Sequence, residues 1–116
     1  MVTPLQDRST DLDYMWKALA DPIRRMLLET LAQKEHFCHL DGQVVNGICV
    51  QDLSTLLQLP QSTVSRHLTI LRQAGLVDHQ QKGVWHYYAC QPDRIRALKQ
   101  WLDGLCWNHS MQDICT

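Results

Sequence analysis

The order of elements that the sequence spells out is helix, helix, short helix, turn, helix, hairpin, helix. It predicts a mainly α fold with a small β-hairpin wing, a winged helix-turn-helix of five helices. Three observations carry that expectation. A short apolar-periodic run is cut by Pro60, and a second pattern starts at once with Val64, Leu68 and Leu71. Lys82-Gly83 stands between two segments of strand composition within Leu76 to Ala89. Asp21-Pro22 and Gln91-Pro92-Asp93 each restart the chain as a helix, with proline at the first helical position.

Taken in order, Thr10 precedes Leu12, Met15, Trp16 and Leu19, with Asp13 in the capping-box position, and predicts a first helix running to about Ala20. Ile23, Leu27 and Leu31 form the buried stripe of a second helix ending near Gln33. Residues 34–49 are the least regular, and Asp41-Gly42 and Asn46-Gly47 are both hairpin-turn dipeptides, so a small ribbon or an irregular loop fits. Leu53, Leu56, Leu57 and Leu59 define a short third helix from Gln51, and Gly75 closes the fourth as a left-handed cap. The chain reads as a tail over 1–9, one domain over 10–107 and a second tail over 108–116.

Composition limits the function classes. The 116 residues are 45% hydrophobic with a formal net charge of -1, which suits one core and does not by itself suggest a nucleic-acid binder. The distribution says more. Between Gln58 and Gln91 stand Arg66, Arg72 and Lys82 against a single Asp78, with His67, His79 and His86 able to add positive charge. The start lacks the basic and apolar regions of a secretory signal, and no apolar run approaches a membrane span, so a cytoplasmic protein without a membrane partner is expected. Five cysteines in such a chain are expected to be reduced thiols, available for metal binding or redox sensing.

In the fourth helix Val64, Leu68 and Leu71 turn inward, which leaves Ser62, Ser65, Arg66, Thr69 and Arg72 on or near the opposite face. Hydroxyls near the N-terminus and Arg farther along are what a helix in the major groove needs for base edges and phosphates. An ordinary solvated face is the competing reading. A Lys82-Gly83 tip beside that helix can reach flanking phosphates, while Trp85, Tyr87 and Tyr88 are expected to serve strand packing rather than base stacking.

The runs ALADPIRRMLLETL, CVQDLSTLLQLPQSTVSRHLTILRQAGLV and KGVWHYY closely resemble the ArsR/SmtB family of metal- and stress-sensing repressors, over residues 14 to 90. The resemblance implies double-stranded DNA as partner, with Gln61, Ser62, Thr63, Ser65, Arg66 and His67 in the recognition helix and Lys82 in the wing. One departure is Pro60-Gln61-Ser62 where the family usually has Ser-Gln-Pro, which removes the usual serine cap. The resemblance also implies a homodimer built from the first and last helices. Leu12 and Trp16 would supply one side, and the three-four spaced Ile95, Leu98, Leu102 and Leu105 the other. Packing of that stripe inside one protomer is the alternative. A two-fold dimer sets two recognition helices roughly 34 to 36 Å apart, so the operator is expected to be an inverted repeat.

CVQDL is similar to the CVCDL segment that binds the ion in arsenic- and cadmium-responsive members, but Gln51 replaces the second cysteine. Cys49 therefore needs thiols or imidazoles from elsewhere. Cys38, between His36 and His39, is the first candidate, although two tight turns would set Cys38 opposite Val45 and Cys49 opposite Val44, on opposite faces of a ribbon. Cys106, His109 and Cys115 form a second group, Cys90 reads as a small buried residue, and the zinc pattern on the last helix of other members is not evident. Arsenite or another thiophilic metal ion is the first expectation for the effector, and oxidant or reactive-sulfur chemistry the second. An enzyme is not expected, because no nucleophile elbow, phosphate-cradling glycine loop or carboxylate pair is present. A winged-helix protein-interaction module without DNA binding is the remaining rival.

Overall fold

The computed structural model describes residues 4–33, 37–40 and 43–107. The chain runs α1 (Pro4–Leu19), α2 (Pro22–Leu31), β1 (Phe37–Leu40), β2 (Gln43–Asn46), β3 (Ile48–Cys49), α3 (Val50–Leu57), α4 (Gln61–Gln73), β4 (Val77–Lys82), β5 (Trp85–Cys90) and α5 (Pro92–Trp107). This is the expected winged helix-turn-helix, five helices with a wing. One boundary differs: α1 begins at Pro4 rather than Thr10 and takes in most of the stretch assigned to the N-terminal tail. Proline is well placed to open a helix because the N–H it lacks has no intrahelical partner there anyway.

Local chemistry sets the other ends. The Asp21 carboxylate caps α2 by accepting from the backbone N–H groups of Ile23 and Arg24, at 2.8 and 3.3 Å. α3 stops where Gln58 adopts a left-handed conformation, φ 56°. The three residues 58–60 make the turn into α4, tied by the Leu59 N–H donating to Ser54 O and the Ser54 hydroxyl donating to Leu59 O. α4 ends in a Schellman arrangement: Gly75 has φ 78°, its N–H donates to Arg72 O, and the Leu76 N–H donates to Leu71 O. The left-handed cap expected at Gly75 is therefore present, and it aims the chain directly into the wing.

The core gathers one face of every helix. Met15 and Ala18 from α1, Leu27 and Leu31 from α2, Leu53 from α3, Val64, Leu68 and Leu71 from α4, and Leu98 from α5 meet Leu76, Val77 and Tyr88 at the wing base. Each fully buried leucine contributes about 1.5–3 kcal/mol, so this set holds α4 against its neighbours and fixes which face it shows to solvent. Among the described residues no helix is long and apolar enough to cross a membrane.

The segment left open between ribbon and loop is a ribbon. β1 pairs antiparallel with β2, and Cys38 stands opposite Val45 as two tight turns would place it. The second turn is not there. Gly47 has φ 136° and passes the chain from β2 into β3, which joins the wing as a third strand in the order β3-β5-β4. Cys49 consequently pairs with Tyr87 rather than Val44. A Cβ built on Gly47 would lie 2.6 Å from the Tyr88 carbonyl oxygen, so the close approach of β3 to β5 depends on glycine. Gly47→Ala should cost about 1–3 kcal/mol in urea unfolding. Gly83→Ala, at a wing tip with nothing within 4 Å of the added carbon, should cost clearly less despite its φ of 61°; equal losses would show that the β3 contact is not what Gly47 protects.

Candidate nucleic-acid interface

α4 presents two faces of opposite character. Val64, His67, Leu68 and Leu71 are buried, while Gln61, Ser62, Arg66, Thr69 and Arg72 are exposed and Thr63 and Ser65 half-buried. The helix starts on Pro60 with no side-chain cap, and the Val64 N–H donates to Pro60 O. The first-turn N–H groups are therefore not taken by a capping side chain, and a helix N-terminus in that condition suits phosphate oxygens. The Thr69 hydroxyl donates to Ser65 O at 2.9 Å, which leaves its oxygen as an acceptor toward solvent.

His67 is a correction. The resemblance put it on the reading surface, but it is 8% exposed and faces α2. Arg24 Nη1 lies 3.1 Å from His67 Nδ1, and because a guanidinium can only donate, Nδ1 is the acceptor. The histidine follows Arg66 directly, and a step of 100° around the helix is enough to carry it from the outer face to the inner one.

β4 and β5 form the wing, with Lys82 opposite Trp85. Lys82 is half-buried, Gly83 turns the tip, and Val84 beside it is 82% exposed. Between wing and helices runs a groove lined by Val50, Gln51, Gln61, Ser65, Val84, His86 and Tyr88. Sequence reasoning placed Gln61 and Ser65 on this surface and counted His86 only toward the positive charge of the stretch. The missed signal is its register: His86 and Tyr88 share one face of β5, the face that turns toward the helices.

The cysteines are spread over the molecule. Cys49 is buried in a small cluster with Tyr87 and Trp85, Cys106 is exposed on α5, and Cys38 lies in β1. Cys90, read as a small buried residue, is half-buried with Sγ 3.6 Å from Leu28 O, and burial pushes its pKa up, which disfavours the reactive thiolate. Cys115 and His109 lie outside the described residues. Among the described residues no three His, Cys, Asp or Glu side chains converge on a metal position.

The expected dimer stripe divides in two. Leu98 is buried in the protomer's own core, a correction, and Leu12 is half-buried against it. Trp16, Ile95, Trp101, Leu102 and Leu105 face outward, Leu105 being 56% exposed. α5 thus carries one apolar stripe for its own protomer and another left over. The Trp16 and Trp101 rings meet edge to face with centroids 5.7 Å apart, so the leftover surface is continuous across α1 and α5.

With this geometry in hand, the comparison with known proteins is decisive. The model of the bacterial regulatory protein, arsR family, matches residues 47–79, from the start of β3 into the wing's first strand. A helix-turn-helix type transcriptional regulator from Methanocaldococcus jannaschii is 33% identical over 91 residues, covering 78% of this chain and 90% of that protein. The chain belongs to the ArsR family. The arsenical resistance operon repressor of Bacillus subtilis is 32% identical over 83 residues, 72% of this chain and 69% of the relative. In fold alone, the chain is similar to a homodimeric winged helix-turn-helix DNA-binding domain from Mycobacterium bovis, described as a possible ArsR-family regulator. That similarity has a TM-score of 0.67 and 21% identity, covering 94% of this chain and 90% of that one. An ArsR-family protein is a transcriptional regulator and not an enzyme.

The two neighbours on α4 should separate cleanly. His67→Leu leaves Arg24 Nη1 without its acceptor and should lower stability by about 1–3 kcal/mol in urea unfolding. Arg66→Ala should leave the unfolding midpoint within error and weaken duplex binding by about 1–3 kcal/mol in fluorescence anisotropy. Unchanged binding in the Arg66 variant would remove this residue from the interface.

Proposed function

We propose that this ArsR-family protein is a homodimeric repressor that sets two α4 helices into major grooves of an inverted-repeat operator and is released by a thiophilic ion such as arsenite. The observation that carries the DNA part is the exposed face of Gln61, Ser62, Arg66 and Thr69, with Thr63 and Ser65 beside it and the Lys82 wing alongside. A protein-interaction module would have no use for uncapped N–H groups, short hydroxyls and arginine on one helix face. Arg66 supplies the base or backbone contact and Lys82 a phosphate contact without sequence content.

The dimer follows from the leftover apolar surface. Trp16, Trp101, Leu102 and Leu105 are too large a contiguous apolar set to leave in water, and a second copy placed about a two-fold axis covers it with itself. The same packing would orient both α4 helices to one side of the duplex. Leu102→Glu puts a carboxylate into that contact, where an unpaired charge is strongly unfavourable. The variant should sediment as a folded monomer in analytical ultracentrifugation, since Leu102 is exposed in the protomer. A stable dimer of the variant would place the interface elsewhere.

For release, Cys49 has the shortest mechanical route to the reading surface. It pairs with Tyr87 in the wing sheet and its backbone caps α3, the helix that packs on α4. β1, which carries Cys38, approaches β3, and Cys38 is the partner proposed for Cys49, with Cys106 and Cys115 as a separate second group. A bond formed at Cys49 must open the packing around it, and that distortion is shared by the wing and α3. A coupling of about 1–3 kcal/mol changes operator affinity about 5- to 150-fold. Cys49→Ser should bind operator DNA yet lose release by arsenite or cadmium in anisotropy titrations, because a hydroxyl is a poor ligand for soft ions. Equal release from parent and variant would move the sensing role to Cys106 and Cys115, where oxidant or sulfur chemistry becomes the better account.

A further inference from the structure

His86 of the groove meets a second histidine on the inner face of the wing. His79 lies in β4 and His86 in β5, offset by two residues in the ladder, since His79 stands opposite Tyr88 and Gln81 opposite His86. Their Nε2 and Nδ1 atoms are 2.6 Å apart. The ring planes differ by 20° and the centroids are 4.9 Å apart. That separation is little more than the nitrogen–nitrogen distance plus a ring radius on each side, so the imidazoles meet end to end. Two lone pairs at that distance would repel, and one proton must sit between them.

The proton count then determines what the pair shows to its surroundings. Two neutral imidazoles carry two N–H protons, one in the contact and one on an outer nitrogen. One more proton fills the second outer nitrogen without disturbing the contact, which becomes a charge-assisted hydrogen bond. A further proton would place N–H against N–H and break it. The pair is thus built to accept one positive charge, and with it both outer nitrogens become donors. His86 lines the groove that also holds Gln61 and Ser65, where a duplex seated on α4 would run its backbone. His79 lies on the far side, in a hollow with Arg72, Asp78, Asp93 and Arg94.

We infer that the His79–His86 pair is a proton-dependent binding site for a DNA backbone phosphate, in the groove between the wing and α4. The inference rests on the DNA reading above and adds a ligand group and a pH dependence that neither Arg66 nor Lys82 has. The groups around the pair set its direction. Burial, then Arg72 from α4 and His86 itself, lower the proton affinity of His79 in the free protein. The Tyr88 ring, 5.0 Å from His79, adds to the packing, and Asp78, Asp93 and Arg94 share the hollow behind. A phosphate arriving in the groove opposes these effects and raises the pair's proton affinity. The DNA complex therefore holds more protons than the free protein, and affinity rises as pH falls through the histidine range.

The test is anisotropy with a random-sequence duplex at constant ionic strength, from about pH 8 down to about pH 6, across the imidazole range. The parent protein should tighten by up to about tenfold per pH unit within that window, the limit for uptake of one proton. His86→Gln should show a flattened profile, and at the acid end its salt dependence should correspond to about one phosphate contact fewer than the parent's. Histidine-selective NMR of the parent provides a readout that needs no variant, and both ring midpoints should move to higher pH when duplex is added. A parent that binds DNA with a flat pH profile, a variant that retains the parent's slope, or ring midpoints indifferent to DNA would each overturn the inference alone. Absence of duplex binding by the parent at every pH would overturn the DNA reading, and this site with it.

Discussion

The orientation of α4 depends on two consecutive arginines in α2. The last turn of α1 ends in carbonyl groups with no intrahelical donor, and such groups carry the negative end of the helix dipole. Arg24 Nε donates to Ala18 O at 2.6 Å and its Nη2 to Lys17 O at 3.1 Å, while Arg25 Nη1 donates to Leu19 O at 2.6 Å. The remaining Arg24 nitrogen engages His67 on α4. One guanidinium therefore joins three helices, and its planar fork fixes their mutual rotation in a way that a lysine could not. With His67 pinned inward, Arg66 has to point outward.

Most of this architecture was legible in the sequence because the signals were local and strong. Proline at the first turn, aspartate as a cap, glycine in a left-handed position and apolar spacing along α4 all act within a few residues. They located α2, α4, the wing hairpin and the start of α5. The misreadings came from interactions between distant parts of the chain. Asn46-Gly47 has the composition of a hairpin turn, yet Gly47 serves a close approach to the Tyr88 backbone, which no local rule reveals. His67 looks like a polar residue of the reading face until Arg24 supplies its partner from 43 residues away.

The same division holds for the candidate site. Which α4 residues face outward follows from the positions of Val64, Leu68 and Leu71, so Ser62, Arg66, Thr69 and Arg72 could be assigned from the sequence. The α5 stripe was harder, because a helix that serves both its own core and a second surface gives one continuous apolar pattern. Only packing separates Leu98 from Leu102 and Leu105. His86 could be counted as added charge but not placed in the groove, because its position comes from cross-strand register, which sets it beside residues more than twenty positions earlier in the chain.

The third wing strand has a consequence for how the protein deforms. Cys49 ends β3 and Val50 begins α3, so the strand that braces the wing and the helix that supports α4 are joined by a single peptide bond. The two walls of the groove are thus not separate bodies that can drift apart independently. Besides the Gly75 cap that leads α4 into β4, they are coupled through this second junction, where Cys49 holds an extended ψ of 160°. A rotation at that peptide would be felt by the wing, through the pairing of β3 with β5, and by α3 together.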